Sequence, residues 1–323
     1  MSEPSYICID IRLLKRAAKD IPFDVFLKVS ESHYAHVFSK STGLDYKRLA
    51  QYTQKGVKDA YILESDQEAF RAFVARTHDS VLLDPNVPKD KKIEALQNQT
   101  EQIMNEVFTH LKMSEETATQ TKKVVQNYVK IMGESPTTLS IILKMVAHGD
   151  YLYAHSVTTA VFSMFIAKAT GQFNRRMLEL VGLGGFLHDI GCTQLSQEIT
   201  ESGQDLSPGQ WKEMRTHPKL GLQMVESTQS IPDEVRYIIY QHHEEPGGNG
   251  YPNGLRGPVI FYPAKIVAAA DAFSALITRR PYRPAYTVEQ AVHILQSETG
   301  KYDPMIVQIV GAMFNQSSLK KSA

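Results

Sequence analysis

The sequence predicts a mainly α-helical protein: a C-terminal all-α helical bundle preceded by a small N-terminal α/β domain. Three observations carry this. From about residue 135 onward, apolar residues recur at the 3.6-residue period, in 137–147, 156–168, 175–188, 234–242, 258–277 and 287–297. Gly/Pro-rich loops separate these runs, and no segment there reads as a strand. The first 85 residues instead mix short alternating segments with short amphipathic ones.

Within residues 1–85, strands are expected at Tyr6–Asp10, Phe23–Val29, His33–Phe38 and Asp59–Leu63, with helices at Ile11–Lys19, Asp45–Gln54 and Gln67–Ala75. The stretch DPNVPKDKK (84–92) reads as the exit from this domain. Residues 86–134 then form a helical connector, with Ile93, Leu96, Ile103, Val107 and Leu111 on one stripe and Val125, Val129 and Met132 on the next. Ser114, followed by Glu115 and Glu116, reads as the N-cap between the two helices, because acidic residues favour the first turn. The connector either packs on its own domain or forms a homodimer. The remaining domain is 135–323.

With 323 residues, the chain is long enough for two separately cored domains. Its 35 basic and 35 acidic residues cancel, and no basic run or acidic tail marks a partner surface for long nucleic acid or an anionic membrane. No segment has the length and apolarity of a membrane span, and the start MSEPSYICID lacks a signal-peptide pattern. Cys8 and Cys192 are far apart, so no disulfide framework is expected, and the chain reads as a soluble cytoplasmic protein. Two cysteines cannot make a metal site alone, so any ion must come from histidines and carboxylates.

Such a set is present. His188–Asp189 follows the apolar run LELVGLGGFL, and a charged aspartate there is costly unless paired or metal-bound. His155, His217, the pair His242–His243, and Asp271 in AADA are the companions. They are spaced by 25 to 33 residues, about one helix out and one helix back, so a bundle can converge them on one pocket. Any one of these histidines alone would more often be a satisfied core residue. The combination is what points to a metal. Imidazole and carboxylate without thiolate suit Fe, Mn or Zn better than Mg or Ca.

At these residues the chain resembles the HD phosphohydrolase superfamily, specifically its HD-GYP branch of cyclic di-GMP phosphodiesterases. The resemblance rests on HDIG at 188–191, HPKLG at 217–221, HHEEPGGNGYPNGL at 242–255, AADAF at 269–273 and RPYRPAY at 280–286. It covers roughly residues 140–315 and none of the first 85. It implies an HD-type helical bundle with two divalent transition-metal ions, iron or alternatively manganese. Asp189 would bridge them, His155, His188 and Asp271 would complete one shell, and His217, His242 and His243 the other. His188 and Asp189 would be catalytic, and a hydroxide between the metals would cleave cyclic di-GMP to pGpG, with GMP on further hydrolysis. Arg280 and Arg283 match substrate-binding positions, where guanidinium groups suit phosphate and guanine. Gly250 and Tyr251, with Pro252, form the loop that names the branch and would flank the substrate or meet other signalling proteins.

Three departures from the family pattern stand out. Cys192 occupies the place of the lysine that usually follows HDIG, removing a cation worth about a few kcal/mol at a developing negative charge. As an isolated residue Cys192 reads as a small buried hydrophobe. Tyr151 stands where some members carry a glutamate for a third metal, so two ions are expected. Gly247 and Ser274 replace family carboxylates. An active phosphodiesterase is therefore weighed against a catalytically weak member acting as a cyclic dinucleotide receptor or interaction module. Residues 1–85 are read as regulatory or structural.

Overall fold

The computed structural model describes residues 4–16, 19–30, 33–84, 86–110, 112–134, 151–200, 206–278 and 284–319. The chain divides into two compact units, residues 1–95 and 96–323.

The first unit is built on an antiparallel sheet of four strands: β1 (Tyr6–Asp10), β2 (Val25–Lys28), β3 (Tyr34–Phe38) and β4 (Asp59–Leu63), in the order β1-β4-β2-β3. β1 pairs with β4 from Tyr6↔Leu63 to Asp10↔Asp59. Helix α1 (Tyr46–Gln54) begins where the Asp45 carboxylate accepts from Lys47 N and Arg48 N, as an N-cap does. Helix α2 spans Gln67–Leu83, eight residues beyond the predicted end. The expected helix at 11–19 is instead a 3-10 segment, Ile11–Arg16. Its three-residue period puts Ile11 and Leu14 on one face, and both are fully buried. Phe23 seals this core with edge-to-face contacts to Phe70 and Phe73 at 5.2 and 5.1 Å.

Helix α3 (Lys89–His110) and α4 (Glu115–Glu134) form the connector. Ser114 Oγ accepts from Thr117 N at 3.0 Å, the N-cap expected there. Predicted stripe positions Ile93, Leu96, Ile103, Val107, Val125 and Met132 are buried, and Val129 is half-buried. Leu111 and the apolar run 137–147 lie outside the described residues.

The helices that follow are α5 (Tyr151–Ala169), α6 (Arg175–Leu187), α7 (Pro208–Met214), α8 (His217–Val225), α9 (Asp233–Gln241), α10 (Tyr262–Ile277), α11 (Val288–Ser297) and α12 (Pro304–Leu319). Among the described residues of this unit there is no strand. Helix α6 is central, packed by α4, α5, α9 and α10, and every residue from Leu180 to Leu187 is buried. That encirclement explains why the run before His188 is apolar on all sides. Starts are chemically marked: Asn174 caps α6, and Ser207 and Thr287 form capping boxes with Gln210 and Gln290. None of the described helices is long and apolar enough to cross a membrane.

Phe273, fully buried on α10, sits edge-on to Phe162 at 4.8 Å and stacked on Phe314 at 5.1 Å. Phe273→Ala should cost about 3–5 kcal/mol. Denaturant unfolding of metal-free protein measures this, and a loss below about 1 kcal/mol would contradict the packing described.

Candidate metal centre

Helix ends supply most of the site. His188 is the C-cap of α6, His217 the first residue of α8, and His242 the C-cap of α9 with His243 next in the chain. His155 and Asp271 project from within α5 and α10, two helices that pack together. Asp189 lies just past the end of α6, with φ −98° and ψ 12°, at the entry to a 3-10 turn, Ile190–Gln194. The backbone thus leaves helical phase between His188 and Asp189, which frees the carboxylate to turn towards neighbouring helices.

Three histidines are fixed in the same way. Nδ1 of His188, His217 and His242 lies 2.7, 2.8 and 2.9 Å from the carbonyl oxygens of Gly185, Met214 and Ile239, each three residues back. A carbonyl oxygen only accepts, so each of these Nδ1 atoms carries a proton and each ring turns its Nε2 towards the pocket. Nε2 of His217 and Nε2 of His242 are 3.2 Å apart. Two lone pairs at that distance repel unless a cation lies between or beside them. Nε2 of His188 is buried without a hydrogen-bond partner.

Asp189 links the set. Its Oδ2 lies 3.2 Å from His188 Nε2 and 3.7 Å from His155 Nε2. Its Oδ1 lies 3.3 Å from His217 Nε2 and 3.6 Å from His242 Nε2. Asp271 Oδ1 is 3.0 Å from His155 Nε2 and 3.8 Å from His188 Nε2. The donors form two groups, Asp189–His217–His242–His243 and His155–His188–Asp271, each with its donor atoms within 4.8 Å of one another. This is a donor set consistent with a binuclear site: imidazole nitrogen and carboxylate oxygen only, with one carboxylate facing both clusters. The side chains of Asp189 and Asp271 are 19 and 18 % exposed, whereas those of His155, His188, His217 and His242 are at most 4 %. Solvent therefore reaches the centre from the carboxylate side.

Charge follows the same geometry. Burial works to raise Asp189 and Asp271, but adjacent imidazoles, His188 first for Asp189 and His155 for Asp271, hold both well below the usual carboxylate range. Burial works to lower His188, yet Asp189 and then Asp271 lift it well above an ordinary histidine. Burial pushes His217 down to about 4 and His243 well down as well.

Two glycines allow the elements to approach. A Cβ on Gly191 would meet the carbonyl oxygen of His217 and lie 2.5 Å from Gly221 N, so the HDIG turn packs directly on the start of α8. A Cβ on Gly250 would strike Glu245 N and the carbonyl oxygen of His243. Tyr251 N donates to that carbonyl at 3.0 Å, and the Tyr251 ring stacks on His243 at 4.6 Å. The Tyr251–Pro252 peptide is cis. Glu244, which sequence reasoning passed over, is buried and accepts from Asn253 N and Leu255 N, both at 2.7 Å, tying the loop down. The signal for it was its place directly after His242–His243.

All seven predicted ligand positions are thus brought together, with Gly250 and Tyr251 beside them. Arg280 and Arg283 lie outside the described residues, as does the side chain of Tyr151. Cys192 is buried, as read from sequence, and burial, then the Asp189 and Asp271 charges, pushes its thiol well up. Ser274 is fully buried, and Gly247 N donates to the Gly300 carbonyl at 2.7 Å.

A helical bundle that gathers five histidines and two aspartates into two adjoining groups is consistent with a binuclear metal site. A family model described as an HD domain matches residues 139–306, and the chain belongs to that family. It is 30% identical over 178 residues to a cyclic di-GMP phosphodiesterase of Pseudomonas aeruginosa, covering 53% of this chain and 41% of that one. It is 33% identical over 132 residues to the cyclic di-GMP phosphodiesterase response regulator RpfG of Xanthomonas campestris, covering 40% of this chain and 35% of that one. A 3'3'-cGAMP-specific phosphodiesterase of Vibrio cholerae is 31% identical over 169 residues, covering 51% and 38%. The chain spans less than half the length of these relatives. The fold is similar to that of Bd1817, an HDG"Y"P protein of Bdellovibrio bacteriovorus, with TM-score 0.70 and 22% identity over 96% of this chain and 100% of that one. The resemblance read from the HDIG, HPKLG and GYP segments stands.

Two outcomes follow from this geometry. Gly191→Ala should displace the start of α8, cost about 1–3 kcal/mol and lower the bound metal per chain; elemental analysis with denaturant unfolding checks both. In metal-free protein His188 carries a proton at neutral pH because its pKa is raised, whereas His217 and His243 are already neutral. Metal binds neutral imidazole, so loading near pH 7 should release a proton, and affinity should rise with pH until His188 is deprotonated. Calorimetry in buffers of different ionisation enthalpy reads the release; its absence would contradict this charge assignment.

Proposed function

We propose that this chain hydrolyses a phosphodiester bond of cyclic di-GMP, giving pGpG and then GMP. The observation that carries the reading is the Asp189 carboxylate, one oxygen facing each histidine group. We assign His155, His188 and Asp271 to one ion, His217, His242 and His243 to the other, and Asp189 to both. Two divalent ions held there, iron or alternatively manganese, would supply Lewis acidity towards the phosphoryl oxygens and a water of lowered pKa.

The chain's own residues set the rest. The Nδ1 anchors of His188, His217 and His242 keep the ring nitrogens turned inward, so little reorganisation accompanies reaction. Burial of four imidazoles confines solvent to the carboxylate side, where the phosphodiester enters. Gly250 and Tyr251 flank that entry, and Arg280 and Arg283 bind phosphate and guanine. Residues 1–85 regulate this centre through the connector 86–134.

A second reading has one observation in its favour. Cys192, where the family pattern has lysine, offers no positive charge to a leaving oxygen, which suits a receptor or interaction module that binds without turnover.

The test is turnover of anaerobically metal-loaded protein with cyclic di-GMP and 3'3'-cGAMP, products being separated by chromatography. Cleavage of cyclic di-GMP that His188→Ala reduces by about a hundredfold or more supports the enzyme. Binding of metal and nucleotide without cleavage, together with activity gained by Cys192→Lys, would replace it with the receptor.

A further inference from the structure

Arg215 has no part in the metal centre as described above, yet its guanidinium lies at the centre's edge. It is the C-cap of α7, two residues before His217, and its backbone N–H donates to the Trp211 carbonyl at 3.0 Å. Its Cζ lies 5.5 Å from the centroid of the Tyr251 ring. A continuous series of ring contacts leads inward from there: Tyr251 on His243 at 4.6 Å, and His243 against His217 at 4.9 Å. Burial, then the Asp189 and Asp271 charges, raises the Tyr251 hydroxyl, and the Arg215 charge acts the other way.

Two further facts single this side chain out. It is exposed, and among the described residues it donates no side-chain hydrogen bond and forms no ion pair. Its five N–H donors are therefore open to a ligand, while its guanidinium lies over the Tyr251 ring at cation–π distance. The inner site also lacks the cation that a lysine at 192 would bring. Arg215 is set out from the His217 ring by two intervening rings, Tyr251 and His243.

We propose that Arg215 binds the second, uncleaved phosphate of a two-phosphate substrate, using Tyr251 as the platform that holds its guanidinium. The proposal rests on the cyclic dinucleotide reading and adds to it a selectivity residue outside the HD and GYP motifs. A guanidinium fork pairs with phosphate oxygens in bidentate fashion while its face stays on the aromatic ring. A ligand with one phosphate cannot occupy the metal groups and Arg215 at once, so Arg215 favours cyclic dinucleotides over mononucleotides.

The test measures calorimetric affinity of metal-loaded protein for a hydrolysis-resistant phosphorothioate analogue of cyclic di-GMP and for GMP, with metal content determined for every sample. Arg215→Ala should weaken the analogue about tenfold or more while weakening GMP much less. Arg215→Lys should fall between, keeping the charge and losing the fork. Unchanged affinity for the analogue in Arg215→Ala that retains its metal overturns the proposal, and so does an equal loss for both ligands. Wild-type protein that is fully loaded yet binds no analogue overturns the cyclic dinucleotide reading itself, and this inference with it.

Discussion

The structure depends on a carboxylate placed where charge is most expensive to bury. Asp189 follows eight consecutive buried residues at the end of the central helix, and its two oxygens face four imidazole nitrogens. Without compensation such a group would take up a proton or open the bundle. Here the neighbouring imidazoles hold it ionised, and three of them, His188, His217 and His242, are in turn held by backbone carbonyls three residues behind them.

This constraint explains features of the bundle that are otherwise arbitrary. Helices α6 and α9 end, and α8 begins, at the site, and at each of these termini a histidine bonds a carbonyl three residues back through Nδ1 and turns Nε2 inward. The HDIG glycine is fixed by the carbonyl of His217, which would overlap any Cβ there. The GYP loop is fixed from below by Glu244, whose two oxygens each accept a backbone N–H, so Tyr251 lies on His243 instead of moving freely over the cleft. Rigid loops of this kind hold a site in place at little entropic cost on binding.

Much of this was legible in the sequence. Strands β1 and β4 were placed to the residue, and helices α5, α6, α9, α10 and α11 followed from period, because burial on one face or all faces writes itself as apolar spacing, whereas α7, α8 and α12 were not read from it. The seven candidate ligands were legible as types and spacings, and the family resemblance grouped them as the distances do. Misreadings arose where local chemistry is ambiguous: Ile11 and Leu14 fit a 3-10 turn as well as an α-helix, and only the sheet edge decides between them. Glu244 and Arg215 were missed because their roles depend on contacts made by a folded loop, and the one signal in the sequence was their place beside the ligand histidines. The departure at Cys192 was visible as a lost charge, but its proximity to the Asp189 and Asp271 carboxylates was not.

The central claim is that Asp189 joins two metal positions. Anomalous diffraction from crystals of metal-loaded protein, recorded on either side of the metal absorption edge, tests it most directly. The account predicts two peaks, about 3.5–4 Å apart, one on each carboxylate oxygen of Asp189. A single peak, or two peaks of which Asp189 contacts only one, would contradict it.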